Sequence, residues 1–318
     1  MALKVRVGDQ RRKRQAVLSD KDYRVPGERQ MFLTAMIAVF IASLVPAGIA
    51  ALIVFRPSES APFWQIPVVL AVWPLAVLIV VPALAAAPVK KKLKAMGLRA
   101  KVMGNNYPEI LQLVRSHCKA LGMREPDVYV VEDQVPTIWT LAGAKGCVVI
   151  TKPVLTALAP DELAAAIAHE LGHLKAGHVR FNTVITYMHG AKPIVKALCW
   201  PGLILNIGLA RWATVIEWTA DRIAYLLTGK ASTVNTAVIK MAVEADQLAE
   251  IDSAELREYL GGTAELSSDS AQVERHFRIG RFITDEPGLK ERITQLSEWA
   301  RSEQGAQAVA KVGEIRAG

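Results

Sequence analysis

Cysteine is scarce and unpaired in this chain. Cys118, Cys147 and Cys199 are the whole complement of 318 residues, and no two are spaced as C-x-x-C. A disulfide framework is thereby excluded, no cysteine is assigned to metal, and the pattern suits a reducing compartment. No internal repeat and no low-complexity domain interrupts the sequence. Charge is missing from two long runs, Met31–Phe55 (25 residues) and Ala61–Val89 (29 residues). Acidic residues are missing from the whole interval between His173 and Glu217.

The uncharged runs bear on location. About 20 helical residues cross a hydrocarbon core of roughly 30 Å, so each run is long enough to span. Prolines such as Pro46 and Pro74 are tolerated better there than in soluble helices. A cleaved signal peptide has an apolar stretch of about 7–15 residues and a short charged leader, neither of which fits. The runs therefore read as a transmembrane helical hairpin over 31–89. Residues 1–30 carry nine lysines and arginines, and Lys90, Lys91, Lys92, Lys94, Arg99 and Lys101 follow the second run. The loop between the runs has only Arg56. Positive-inside bias places the N-terminus and everything after the hairpin in the cytoplasm, in a multi-pass protein of the cell (inner) membrane. The net charge of +8 is concentrated at these flanks. Residues 1–30 contain a single aromatic, Tyr23, and adjoin a span; the lipid bilayer rather than nucleic acid is their expected partner.

What the chain does contain is His169-Glu170-Leu171-Gly172-His173. On a helix, residues four apart share a face, so His169 and His173 can bind one metal ion. Glu170 points about 100° away round the helix, where it can act on a water. Pro160, Asp161 and Glu162 suit a first turn, and Gly177 supplies a stop. The plainer alternative is two capped histidines on an amphipathic helix. A longer HExxHxxGxxH arrangement is absent: the chain has Ala176 and Val179 at the required positions, and His178 is displaced by one residue. The first carboxylate after His173 is Glu217, a candidate third ligand. Asp221, four residues on, shares its face and could orient a ligating imidazole through the other ring nitrogen. A solvated helix face is the competing account of that pair.

The HELGH run, Glu217-Trp218-Thr219-Ala220-Asp221 and the hydrophobic N-terminus resemble the HtpX-like membrane metallopeptidases, relatives of the CAAX prenyl proteases. The likeness runs from about residue 105 to about residue 300. It implies one Zn2+ per chain held by His169, His173 and Glu217, with Glu170 as general base and Asp221 behind the ligands. It further implies that Ile138, Trp139 and Thr140 lie on a substrate-binding edge strand, and that Arg292 faces the developing oxyanion. In one respect the chain departs from the family. Where a His-Pro step is usual, it reads Glu286-Pro287, and a carboxylate cannot donate a hydrogen bond unless protonated.

Asp127–Val131 and Gly146–Thr151 read as strands. Residues 193–216 are apolar but interrupted by Lys196, Pro201 and Arg211. They are expected to form a membrane-associated helical hairpin, with true spans as the alternative. Val234–Leu248, a stretch from Ser253, and Leu289–Gln304 read as helices, and 305–318 as a frayed tail. The expected fold is mainly α (α+β), with a zincin-like metallopeptidase domain over 90–304 containing a small β-sheet. The expected function is a membrane-anchored zinc endopeptidase acting on polypeptides, misfolded or membrane proteins among them. A scaffold that has lost catalysis is the alternative. An intramembrane protease is disfavoured by Asp161, Glu162, Lys175 and Arg180 beside the motif.

Overall fold

The computed structural model describes residues 18–54, 100–102, 107–133, 136–143, 145–179, 200–242 and 288–317. The second uncharged run, residues 193–199 and all of 243–287, Glu286 included, lie outside them.

A four-stranded sheet has the order β1-β2-β4-β3, with β1 at Ala100–Val102, β2 at Asp127–Val131, β3 at Ile138–Leu141 and β4 at Cys147–Thr151. β2 runs parallel to β4, while β1–β2 and β3–β4 are antiparallel. Every residue of β4 is buried, as its unbroken apolar run requires of a strand covered on both faces. The β3–β4 connection turns at Gly146, whose φ of +73° is the left-handed region. Among the described residues β3 has no strand on its outer side.

The helices are α1 (Asp20–Tyr23), α2 (Glu28–Val54), α3 (Pro108–Leu121), α4 (Val154–Ala157), α5 (Pro160–Ala176), α6 (Trp200–Thr228), α7 (Ala231–Ala242), α8 (Leu289–Arg301) and α9 (Glu303–Ala317). α3 and α5 cover one face of the sheet. Ile110, Val114 and Leu121 of α3 and Ile167 and Leu171 of α5 share a core with Val128, Val148 and Ile150. Complete burial of a side chain such as Ile167 or Leu171 stabilises by about 1.5–3 kcal/mol each. α6 packs along α5, with α2 on another side of it.

Residues 200–216 of the apolar stretch lie in the 29-residue helix α6, which continues through Glu217, while 193–199 lie outside the described residues. One expectation needs correcting. Residues 305–317, expected to fray, form α9, because Ala308 and Val312 lie four apart and enter the core. Ser302 separates α9 from α8: its Oγ accepts from Gly305 N at 3.1 Å, the side-chain cap of a new helix.

The basic N-terminal segment also proves to be structural from residue 18. Leu18 and Tyr23 belong to the main core, and α1 is tied to α9 by Lys311 Nζ donating to Asp22 Oδ2 at 2.6 Å. Among the described residues, no helix is long and apolar enough to cross a membrane. α2 is uncharged after Arg29, but most side chains beyond Ile41 are outside the described set.

Candidate metal centre

The centre is built from two helices held unusually close. α5 begins with Pro160, and Glu162 accepts the Ala159 N–H at 2.7 Å, closing the first turn. Gly172, one turn before the end, lies against α6: a Cβ there would stand 3.1 Å from Ala220 Cα and 3.2 Å from Ile223 Cβ. That close approach brings the carboxylates of α6 to the histidines of α5. His169 Nε2 and His173 Nε2 are 3.1 Å apart, and each lies 3.3 Å from an oxygen of Glu217.

These separations fit a cation. Ligand atoms about 2.05 Å from a tetrahedral zinc stand about 3.3 Å from one another. Two imidazoles and a carboxylate are also the donor set such an ion takes from a helical HExxH. Among the described residues, this is the group of histidine, cysteine and acidic side chains able to hold a metal.

Behind these three side chains stand charged partners. Asp221 Oδ1 is 2.9 Å from His169 Nδ1, leaving Nε2 for the cation. Arg292, from α8, grips Asp221 with two donors, Nε at 2.9 Å and Nη2 at 2.7 Å, and lies 3.3 Å from Glu217 through Nη1. Burial alone would raise both carboxyls; the Arg292 charge and the histidines hold Asp221 and Glu217 below the usual range. Burial would lower His169, yet its hydrogen bonds to Asp221 and Glu217 push it up to about 10. The pocket thus favours positive charge, and a metal ion entering it displaces a proton.

His173 has its own support, which the sequence reading missed. Gly177, at φ +83°, donates to Leu174 O, and His178 N donates to His173 O at 3.0 Å, the doubly bonded end of a Schellman turn. The turn folds His178 back beneath His173, with 3.2 Å between their Nδ1 atoms. On its far side His178 Nε2 is 3.0 Å from Glu28 Oε1, at the start of α2. Glu28 also accepts from Thr219 Oγ1 and Arg24, and Arg24 Nη2 reaches Ala176 O at 2.8 Å. Burial pushes His178 down to about 4, so its ring is neutral. A histidine just past the helix-ending glycine was the available signal.

Glu170 and Arg292 line a cavity of about 160 Å³ with Thr137, Ile138, Val234 and Met241. Burial raises the Glu170 carboxyl, opposed in part by the two histidines and a hydrogen bond from Thr140. β3 runs beside α5. Its alternation turns Ile138 and Thr140 toward that helix and sends Trp139 to the opposite face, against Tyr129, Leu141 and Val149. The Trp139 side chain therefore does not line the cavity, and only its backbone stays with the edge. Thr140 addresses Glu170. Arg292, expected to face the oxyanion, has its guanidinium directed onto Asp221 and Glu217, because those buried carboxylates are the nearest strong acceptors.

Comparison with known proteins gives the following. The sequence profile described as "Peptidase family M48" matches residues 105–300. The plastoglobule-localized metallopeptidase 48 of Arabidopsis thaliana is 28% identical over 218 residues, covering 66% of this chain and 62% of that protein. A protease HtpX homolog of Thermococcus sibiricus is 33% identical over 113 residues, 35% of this chain and 38% of that one. The chain thus spans less than two thirds of the length of these relatives. The crystal structure of Ste24p from S. mikatae superposes with a TM-score of 0.44 at 14% identity, covering 86% of this chain and 67% of that one.

Proposed function

Since the chain belongs to peptidase family M48, we propose that it is a zinc-dependent endopeptidase, anchored in a membrane and cleaving unfolded or membrane polypeptides. The observation that carries this is the convergence of His169, His173 and Glu217 within 4.8 Å, with Glu170 on the same helix facing the cavity. Held by these three residues, a zinc ion supplies Lewis acidity toward the scissile carbonyl and the attacking water. Glu170 takes the proton of that water and returns it to the leaving amine. Thr140 fixes the carboxylate of Glu170 by its hydrogen bond. β3, with its outer edge open among the described residues, pairs with an extended substrate, and the wall of Ile138, Val234, Val238 and Met241 takes an apolar side chain. Arg292 and Asp221 keep Glu217 and His169 in place.

Membrane attachment rests on the uncharged runs and on α2. Leu33, Ile37 and Ile41, spaced by four, and Phe40 are exposed on it, while Phe32, Ala35 and Met36 pack against Trp212 and Ile216 of α6. Such an apolar outer stripe suits lipid. A role in protein quality control accords with the unfolded, extended substrates that an edge strand selects.

The test is casein hydrolysis by the detergent-purified wild type and by Glu170→Gln, with metal analysis of both. Hydrolysis lost in the variant, with zinc near one per chain retained, is the expected result. Zinc bound by a wild type without hydrolysis would instead favour a non-catalytic scaffold.

A further inference from the structure

The proton arrangement along His173, His178 and Glu28 admits one pattern if His173 gives Nε2 to a cation. Its Nδ1 then carries the hydrogen and donates to Nδ1 of His178, 3.2 Å away. Because Nδ1 of His178 accepts, its own hydrogen sits on Nε2, which donates to Glu28 Oε1 at 3.0 Å. Each donor in the chain meets an acceptor, ending on a carboxylate that is itself 1% exposed. A buried carboxylate requires such partners, and Thr219 and Arg24 supply the others. His169 is oriented by Asp221 directly; His173 has the same kind of support at one remove, through His178. The two supports come from opposite ends of the chain, Glu28 from the first described helices and Arg292 from the last.

We propose that Glu28, acting through His178, is a positioning residue for the metal ligand His173, so that the segment leading into α2 is part of the metal centre. The inference rests on the zinc reading given above. The hydrogen-bonded imidazole is a better donor to the cation and is fixed in the one ring orientation that presents Nε2. The geometry also links the centre to α2: a displacement of that helix along its axis is passed through two hydrogen bonds to a ligand.

The experiment uses the full chain and reads zinc affinity and release by competition with a chromogenic chelator. Wild type, Glu28→Gln, Glu28→Ala and His178→Leu are compared. Each is also melted in the presence of chelator, so that loss of fold is separated from loss of metal. Loss of such outer partners of a ligand typically costs about 10–100-fold in metal affinity. That loss is expected for Glu28→Ala and His178→Leu, with faster zinc release. Glu28→Gln keeps an acceptor for His178 but loses the carboxylate charge, so it should recover the affinity only in part and release zinc faster than wild type. A purely structural role would lower the metal-free melting temperature and leave the zinc Kd alone. If Glu28→Ala and His178→Leu fold and bind zinc within about twofold of wild type, the proposal is overturned. Should neither fold, Glu28→Gln decides by its release rate: faster than wild type supports the role, and an unchanged rate rejects it. A wild type that takes up no zinc removes the zinc reading itself, an outcome distinct from unaltered variants of a zinc-binding chain.

Discussion

Gly172 and Ala220 are in backbone contact across two helices: a Cβ added to Gly172 would meet the Ala220 Cα at 3.1 Å. The contact sets the distance between the HExxH helix and the one that brings Glu217. Alanine at 172 would gain up to about 1 kcal/mol of helix propensity, but crowding a packed interior costs about 1–3 kcal/mol. Because two of the three nearest atoms are backbone, they cannot turn aside, and crowding should win. Gly172→Ala is therefore expected to lower stability by about 1–2 kcal/mol and to weaken zinc binding at the same time. Chemical denaturation and a zinc competition assay test both. A stabilised variant with unchanged zinc affinity would contradict this account of the spacing.

Arg292 separates two roles by different readouts. As an oxyanion donor, its loss would lower kcat and leave metal content alone. In the geometry described, Arg292→Ala strands Asp221 and Glu217 as buried charges without their arginine, a loss of about 3–5 kcal/mol. Zinc occupancy should fall along with activity, and Arg292→Lys, which cannot grip Asp221 with two donors, should recover it only in part. Full zinc occupancy in an inactive Arg292→Ala would return the residue to the substrate side.

The cavity beside Glu170 should decide which side chain sits next to the cleaved bond. Val238→Phe narrows it from the wall of α7 without touching a ligand. Peptides with leucine or phenylalanine at that subsite should lose about 10-fold or more in kcat/KM, while alanine peptides lose little. Equal losses for all peptides would mean that the cavity does not receive the substrate side chain.

Stability should fall in weak acid for a reason remote from the metal. His117 on α3 is buried, and burial, aided by the charge of Arg316, pushes its pKa down to about 4 from an ordinary 6.5. The folded state therefore resists protonation that the unfolded chain accepts. The stabilising share of neutral His117 is complete above pH 6.5, and falls away between pH 6.5 and 4. At most it amounts to about 3 kcal/mol. Urea titrations at pH 7 and pH 5 in chelator should show a smaller pH effect for His117→Gln than for wild type. The same pH effect in both would assign the loss to other groups.

The ligand pair, Glu217 and Asp221 are all spaced by four on helices, and periodicity within one element is what a sequence displays openly. The strands at 127–131 and 147–151 were legible from β-branched content. Ala308 and Val312 carried the same four-residue spacing, yet the alanine and glycine around them read as fraying. Glu28 and His178 left no such trace. They meet across 150 residues, and no local pattern records that distance. Glu28 moreover sits in a segment whose nine cations drew attention to lipid. That Trp139 faces away from α5 while Ile138 and Thr140 face it follows from strand alternation, which needs the sheet's buried face to be known first.

The bond from Lys311 to Asp22 joins residues 289 apart, and Gln304 reaches back to Lys21 in the same way. A chain leaves the ribosome N-terminus first, so α1 is made well before α9, the helix that secures it. Arg292, which holds Asp221 and Glu217, is likewise made after both. The centre cannot be complete before α8 has been made. Until then Asp221 and Glu217 stand without the guanidinium that pairs them.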